Sequence, residues 1–200
     1  FNADYYVRKT TDMIVAGPTV PDVFGASSPK GNYADLTTRG YEIAIAWRDG
    51  FQLGGKRFNY GIKATLSDYY SVIDKYNNAT KSLSTRANQS LAGNYYEGMR
   101  IGELWGVESN GLWQNQEEID AANAAAIAAG QKYYNPLMQT SKSYKLYPGD
   151  IKFEDRNGNG YIDRGKNTVD DPGDRFIIGN EEPRYIYSFT LSADWNNIWI

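Results

Sequence analysis

From Arg57 to Tyr69 the chain alternates without a break: Phe58, Tyr60, Ile62, Ala64 and Leu66 fall on one side, and Asn59, Gly61, Lys63, Thr65 and Ser67 on the other. Side chains of a strand point to opposite faces with period two, so the pattern predicts one long strand with an apolar and a polar face. Ordinary strands run to about 5–6 residues, whereas crossing a bilayer takes roughly 9–11. This segment is long enough to cross. Leu36–Asp49 repeats the pattern, with Tyr41, Ile43, Ile45 and Trp47 against Glu42, Ala44, Ala46 and Arg48. Arg184–Asn196 does so again, with Tyr185, Tyr187, Phe189, Leu191, Ala193 and Trp195 on the apolar side and Ile186 the one exception. A shorter amphipathic segment, Phe1–Arg8, opens the chain. In the two later repeats aromatic residues stand near both ends of the apolar row, where amphipathic rings favour a membrane–water interface. A soluble antiparallel sheet with one solvated face alternates too, so periodicity alone leaves both readings open.

Composition narrows the choice. No run of about 18 apolar residues exists from which to make a transmembrane helix, and any span must then be a barrel strand, since only helices and closed barrels satisfy every backbone polar group in lipid. The predicted fold class is all-β: part of a large antiparallel transmembrane β-barrel with long extracellular loops containing a short helix. With 17 Tyr and 5 Trp in 200 residues the chain is aromatic-rich, as a girdle or a carbohydrate-contacting surface requires. Cysteine and histidine are both absent, which removes thiol nucleophiles, disulfides and the usual general base. A net charge of −3 without a basic stripe argues against nucleic acid. The chain starts in strand-like sequence at Phe1 and stops in the aromatic-rich WNNIWI, from which a segment of a longer protein is expected. About four strands cannot close a barrel whose smallest members have about eight.

The connections are unequal. Gly17–Asp35, with Pro18, Pro21 and Pro29, reads as an irregular loop, and the Gly-rich Asp49–Lys56 as a hairpin turn. Outer-membrane barrels have short periplasmic turns and long extracellular loops, which would make Asp49–Lys56 periplasmic and Gly17–Asp35 external. The excursion from about Tyr70 to Gly179 is too long for a bare loop and must hold structure of its own. Within it Gln116–Ala129 predicts an Ala-rich helix lying on the external surface, with Glu117, Glu118 and Asp120 in the first turn where the dipole favours negative charge, and Gly130 ending it.

Local chemistry is densest in Asp155–Asp163, DRNGNGYID. Oxygen-bearing side chains at alternate positions, Asp155, Asn157 and Asn159, precede Gly160 at the sixth position, and the Tyr161 carbonyl stands at the seventh, as in the first half of an EF-hand loop. Asp163 at the ninth would ligate directly or through water. Hard oxygens in a flexible loop favour Ca²⁺, in a structural role, over Mg²⁺. The twelfth position breaks the pattern, with Lys166 in place of a bidentate Glu, so that Asp170, Asp171 or Asp174 would have to supply the last carboxylate. The competing expectation is an Asn-Gly turn held by its own Asx hydrogen bonds without an ion. Tyr69, Tyr70, Trp105 and Trp113 are candidates for stacking on sugar faces, although packing of loops or an interfacial girdle is the stronger expectation for them. The carboxylate pairs Glu117/Glu118 and Glu181/Glu182 are unsuited to glycoside hydrolysis, because sequence neighbours diverge where catalytic carboxylates must face each other. No catalytic residue is assigned, and the chain is not expected to be an enzyme.

On these residues the chain resembles a known family. ADYYVRKTTDMI, GELWGVESNGLWQNQEEID and above all PGDIKFEDRNGNGYID followed by DRFIIGNEEPRYIYSFTLSADW look like the barrel region of SusC/RagA-type TonB-dependent outer-membrane transporters. The ordered string from Gly149 to Tyr185 is the most specific part. Two departures stand out: extra residues around Thr168–Gly173, and Asn159 where the family more often has Asp. The resemblance implies a barrel of about 22 strands, a plug that receives energy from TonB, a SusD-like lipoprotein lid, and import of oligosaccharides or peptides across the outer membrane of Bacteroidetes-like bacteria. A soluble calcium-stabilised glycan-binding β-sandwich is the alternative.

Overall fold

In the computed structural model, residues 1–17, 23, 25, 28–83, 94–136, 145–196 and 198–200 are described. The main feature is one five-stranded antiparallel sheet in the order β1-β2-β3-β8-β9, made of β1 (Asn2–Ala16), β2 (Lys30–Leu53), β3 (Lys56–Lys75), β8 (Ile186–Trp195) and β9 (Ile198–Trp199). Among the described residues the fold is all-β with one helix. Its first three strands run 15, 24 and 20 residues, several times the ordinary length. Two short pairs, β4 (Glu103–Gly106) with β7 (Phe176–Asn180) and β5 (Ser109–Leu112) with β6 (Ile151–Phe153), lie in the excursion between β3 and β8, as does the helix α1 (Gln116–Ala128).

Several boundaries depart from the sequence reading. Asp49–Leu53 continues β2, because Phe51 pairs with Phe58 and their ring centroids lie 5.2 Å apart. The turn is only Gly54–Gly55, with φ of 58° and 75°. Positive φ at both central residues is what a two-residue turn of type I′ demands, and its twist matches that of the strands. At the other end of β2, Lys30–Asp35 is strand rather than loop; Asp12, in a bulge of β1 with φ 56°, donates its N–H to Asp35 Oδ1 at 2.8 Å there. Pro18 and Pro21 lie outside the described residues, while Pro29 accepts from the Gly17 N–H at 3.0 Å. β8 begins at Ile186 because Tyr185 turns the backbone, with φ 55°.

The excursion has its own interior. Residues 98–101 run beside the top of β3, joined by Gly98 N–H to Ile73 O at 2.8 Å, Ile73 N–H to Met99 O at 2.9 Å and Ile101 N–H to Ser71 O at 2.9 Å. One core gathers Leu83, Tyr96, Met99 and Trp105 around Ile73 of β3, with Leu36 of β2 against it. A second gathers Trp113, Tyr134, Leu146 and Ile162 around α1. The helix is therefore not simply laid on the surface: Ile119 and Ala126, two turns apart on one side, are buried in that core. Asn115 caps it by accepting the Glu118 N–H at 2.9 Å, and Glu118 Oε2 accepts the Gln114 N–H at 3.1 Å.

Candidate functional site

Register decides what each side of the sheet can touch. Directly opposed residues share a face, so Tyr5–Tyr41, Ile43–Leu66, Ile45–Ala64, Trp47–Ile62 and Phe51–Phe58 form one apolar surface, which Tyr187, Phe189, Leu191, Ala193 and Trp195 continue across β8. Among the described residues no second sheet or helix layer covers this surface, and Trp47, Phe189 and Leu191 are 61%, 63% and 62% exposed. A sandwich would bury this face in its core. From Phe58 to Leu66 the apolar row runs about 27 Å at ~3.4 Å per residue, close to the apolar band of about 25 Å on membrane barrels. Rings edge it at both ends: Phe51, Phe58, Tyr60 and Trp195 near the Gly54–Gly55 turn, Tyr5, Tyr41 and Tyr187 at the other. Trp195 Nε1 donates to Leu53 O at 3.0 Å, an apolar body with its polar edge satisfied.

The opposite face is polar and finely filled. Asn59 donates to Asp194 at 3.0 Å, Thr65 and Ser188 share a hydrogen bond at 2.6 Å, and Thr38 and Ser71 share one at 2.8 Å. Asp4 stands opposite Glu42, and Lys63, Arg48 and Arg57 follow toward the turn. Tyr6 lies across Gly40, where an added Cβ would meet its hydroxyl at 2.5 Å. Above this face Leu36 and Ile73 carry the first core of the excursion.

The two ends of the sheet differ. Both tight turns, Gly54–Gly55 and the one after Trp195, lie at one end, where Lys56 donates to Asn196 across them. Both long connections, 17–29 and 76–185, leave from the other.

In the second core's outer wall lies the DRNGNGYID loop. Asp155 Oδ1 accepts from Gly158 and Asn159 N–H at 2.7 and 3.1 Å, and its Oδ2 from Gly160 N–H at 2.6 Å. Asn157 accepts from Asn159 N–H at 3.0 Å, Asn159 from Tyr161 N–H at 3.1 Å, and the Asn159 amide donates to Asp163, which also accepts from Gly165 N–H. Asn157, Asn159 and Asp163 thus each close an Asx turn, the Asp155 carboxylate gathers three N–H groups, and one side-chain bond joins Asn159 to Asp163. Of the three acids considered for a last ligand, Asp174 is committed elsewhere: 1% exposed, it accepts from Arg156, Asn157 and Asp163 N–H at 2.8, 3.2 and 2.7 Å. Asp171 faces Lys166 at 3.9 Å, and Asp170 is exposed. Among the described residues, no three Asp, Glu, His or Cys side chains are placed to hold a metal ion.

Asp174 is the residue whose role the sequence left unseen. Burial pushes its carboxyl above the ordinary carboxylate range, against the three N–H donors that favour the anion. Burial likewise lowers the neighbouring Arg175, which donates to Asn167 Oδ1 at 2.8 Å and Pro172 O at 3.2 Å. Tyr134, buried beside Asp155 and Asp174, is pushed up to about 12. The Asp174-Arg175 dipeptide is visible in the sequence, but no periodicity marks it as buried.

The aromatic candidates separate. Trp105 and Trp113 are 7% and 3% exposed and pack in the two cores, Trp113 edge-on to Tyr134 at 5.3 Å, so neither offers a stacking face. Tyr69 reaches Glu182 at 3.3 Å, and Tyr70 lies under Arg100 at 4.7 Å. Glu118 serves the helix cap and Lys152, at 3.8 Å.

No family model matches the chain. It is similar over almost its whole length to curated proteins of Formosa agariphila: 26% identical to "TonB-dependent receptor P39" with 99% of the chain covered, 26% identical to "TonB-dependent receptor P3" with 97%, and 24% identical to "TonB-dependent receptor P26" with 98%. The chain spans 19%, 17% and 17% of the length of these relatives.

Proposed function

We propose that this chain is wall and outer crown of a TonB-dependent receptor barrel in the outer membrane of a Gram-negative, Bacteroidetes-like bacterium. The observation that carries the reading is the single-layer sheet whose ring-edged apolar face is exposed, with both tight turns at one end and both long connections at the other. Tight turns would then be periplasmic and the excursion external. The sheet's polar face would line the lumen beside a plug supplied by the rest of the protein, through which TonB acts. Likeness to three TonB-dependent receptors supports the class; the SusC/RagA type, with a SusD-like lipoprotein partner and oligosaccharide or peptide cargo, rests on the resemblance of Gly149–Tyr185.

The test is accessibility along one strand of the full-length protein. Because these 200 residues contain no cysteine, single cysteines at 62 to 66 carry spin labels at chosen positions. In native membranes, positions 62, 64 and 66 are expected to be relaxed by oxygen dissolved in lipid, and 63 and 65 by a water-soluble nickel chelate. Nickel access at all five positions would sink the reading.

Ca²⁺ in the DRNGNGYID loop is part of the same proposal. The donor set fits the ion's preference for hard oxygens, with Asp155 and Asp163 the charged members and Asn157, Asn159 and the Tyr161 carbonyl the neutral ones. Its role would be to stiffen a turn already closed by Asp174. With two carboxylates, affinity is expected in the weak range of extracellular modules, about 10⁻⁴–10⁻³ M. Hydrogen exchange of residues 155–163 should slow between 0 and ~5 mM CaCl₂ at that midpoint, and unchanged exchange would remove calcium from the account.

A further inference from the structure

We propose that the exposed Asn110-Gly111 bond is a site of spontaneous covalent modification, where the asparagine becomes aspartate or isoaspartate, and that Asp155 keeps two like bonds closed to the same reaction. Three Asn-Gly pairs occur in the chain, at 110–111, 157–158 and 159–160. Conversion begins when the main-chain nitrogen after an asparagine attacks the side-chain Cγ, and glycine, having no Cβ, leaves that approach open. The N–Cγ bond forms as Cγ–Nδ2 breaks, and the amide proton departs with the side-chain nitrogen as ammonia. Water then opens the cyclic imide. Cleavage of N–Cγ gives aspartate, and cleavage between the nitrogen and the main-chain carbonyl carbon gives isoaspartate. The sequence of steps consumes water alone.

The fold separates the three pairs. Asn110 and Gly111 stand in a bulge of β5, between the paired positions Ser109–Phe153 and Leu112–Ile151, and both are exposed. A bulge interrupts the ladder and leaves its extra residue unpaired. Gly111 has φ 89° and open space where a Cβ would stand. The Ser109 hydroxyl reaches Gly111 O at 3.4 Å, while among the described residues nothing bonds the Asn110 amide. The other pairs are clasped. One carboxylate, that of Asp155, accepts the N–H of both attacking nitrogens, Gly158 at 2.7 Å and Gly160 at 2.6 Å. Both asparagine amides are engaged too: Asn157 Oδ1 accepts the Asn159 N–H at 3.0 Å, Asn159 Oδ1 accepts the Tyr161 N–H at 3.1 Å, and the Asn159 nitrogen donates to Asp163. Ring closure at 157 or 159 must first break these bonds, so it proceeds only through the opened fraction of the loop. Asn110 needs no such opening. Its product alters the neighbourhood: aspartate adds an acid close to Glu108, which faces Arg156 at 4.0 Å, and isoaspartate lengthens the main chain by a methylene just before Leu112 and its partner Ile151.

For the test, the full-length protein is kept folded in mild detergent and mildly alkaline buffer, then digested at acidic pH so that digestion adds no conversion. Mass spectrometry of the three peptides and methyl transfer by an isoaspartyl methyltransferase read the products. Asn110 should convert roughly a hundredfold faster than Asn157 or Asn159, and the three should convert at similar rates in the urea-unfolded chain. Asp155→Ala should speed Asn157 and Asn159 roughly tenfold while Asn110 keeps its rate, and Asn110→Gln should remove most of the methyl-accepting signal of the folded protein. Folded against unfolded wild type decides the selectivity even where Asp155→Ala does not fold. Equal rates at the three sites in the folded protein, an intact Asn110 there while the unfolded chain converts, or Asn157 and Asn159 unmoved in a folded Asp155→Ala variant each overturns the proposal. All three bonds lie in the excursion, so the outcome is independent of the membrane reading.

Discussion

Ile45→Arg is expected to cost about 2–4 kcal/mol of folding stability in lipid vesicles, the penalty for a cation near the bilayer midplane on a barrel's outer face. Ile45 lies in the middle of the belt, 54% exposed, opposite Ala64, which pairs in turn with Phe189. Thr65→Arg is the matched control. Thr65 follows Ala64 on β3 but points to the polar face, where it bonds Ser188 at 2.6 Å. Its replacement forfeits that bond, worth about 1 kcal/mol, and should cost no more. Urea-driven unfolding of the full-length protein from vesicles reads both. Equal penalties would mean that the two faces meet the same solvent, and the belt would lose its meaning.

Asp174→Ala should release the DRNGNGYID loop. It strands three N–H donors of Arg156, Asn157 and Asp163 around a site that is 1% exposed. Leaving even two such groups unmet costs about 3 kcal/mol, so exchange of those amides should rise roughly a hundredfold. Asp174→Asn should recover only part of the protection, since its amide nitrogen would turn a donor toward one of the N–H groups. Protection unchanged in Asp174→Ala would show that the Asp155 carboxylate and the Asx turns of Asn157 and Asn159 hold the loop unaided. Neither variant should disturb β1–β3, whose pairing lies away from this core.

What could be read from the bare chain follows the physics of each part. Period two is a local property, and in Arg57–Tyr69 it reveals strand, face and belt at once, because a one-residue slip would put Lys63 where Ile62 belongs. Strand ends were less legible: Asp49–Leu53 looked like a turn because Gly50 and Asp49 are turn formers, yet Phe51 finds Phe58 only after the Gly54–Gly55 turn closes. The excursion was opaque beyond its helix. Its strands are three to five residues long, too short for a period to show, and its cores join residues far apart, such as Ile73 with Leu83, Met99 and Trp105. Asp174 read as a spare ligand because its sequence shows an acid but not the three N–H groups aimed at it.

The sharing of Leu36 and Ile73 between wall and first core has a corollary for engineering and for divergence. Among the described residues, the excursion between Lys75 and Ile186 meets the wall at a narrow joint: three main-chain bonds beside β3, the Arg184–Asp68 ion pair, the contacts of Tyr69 with Glu182 and Tyr70 with Arg100, and a handful of apolar contacts. Such a joint works as a socket. A foreign cassette that keeps partners for those two side chains and a cation for Asp68 could be grafted between Lys75 and Ile186 without recutting the staves, so specificity can be exchanged at the mouth while the membrane-embedded frame stays as it is.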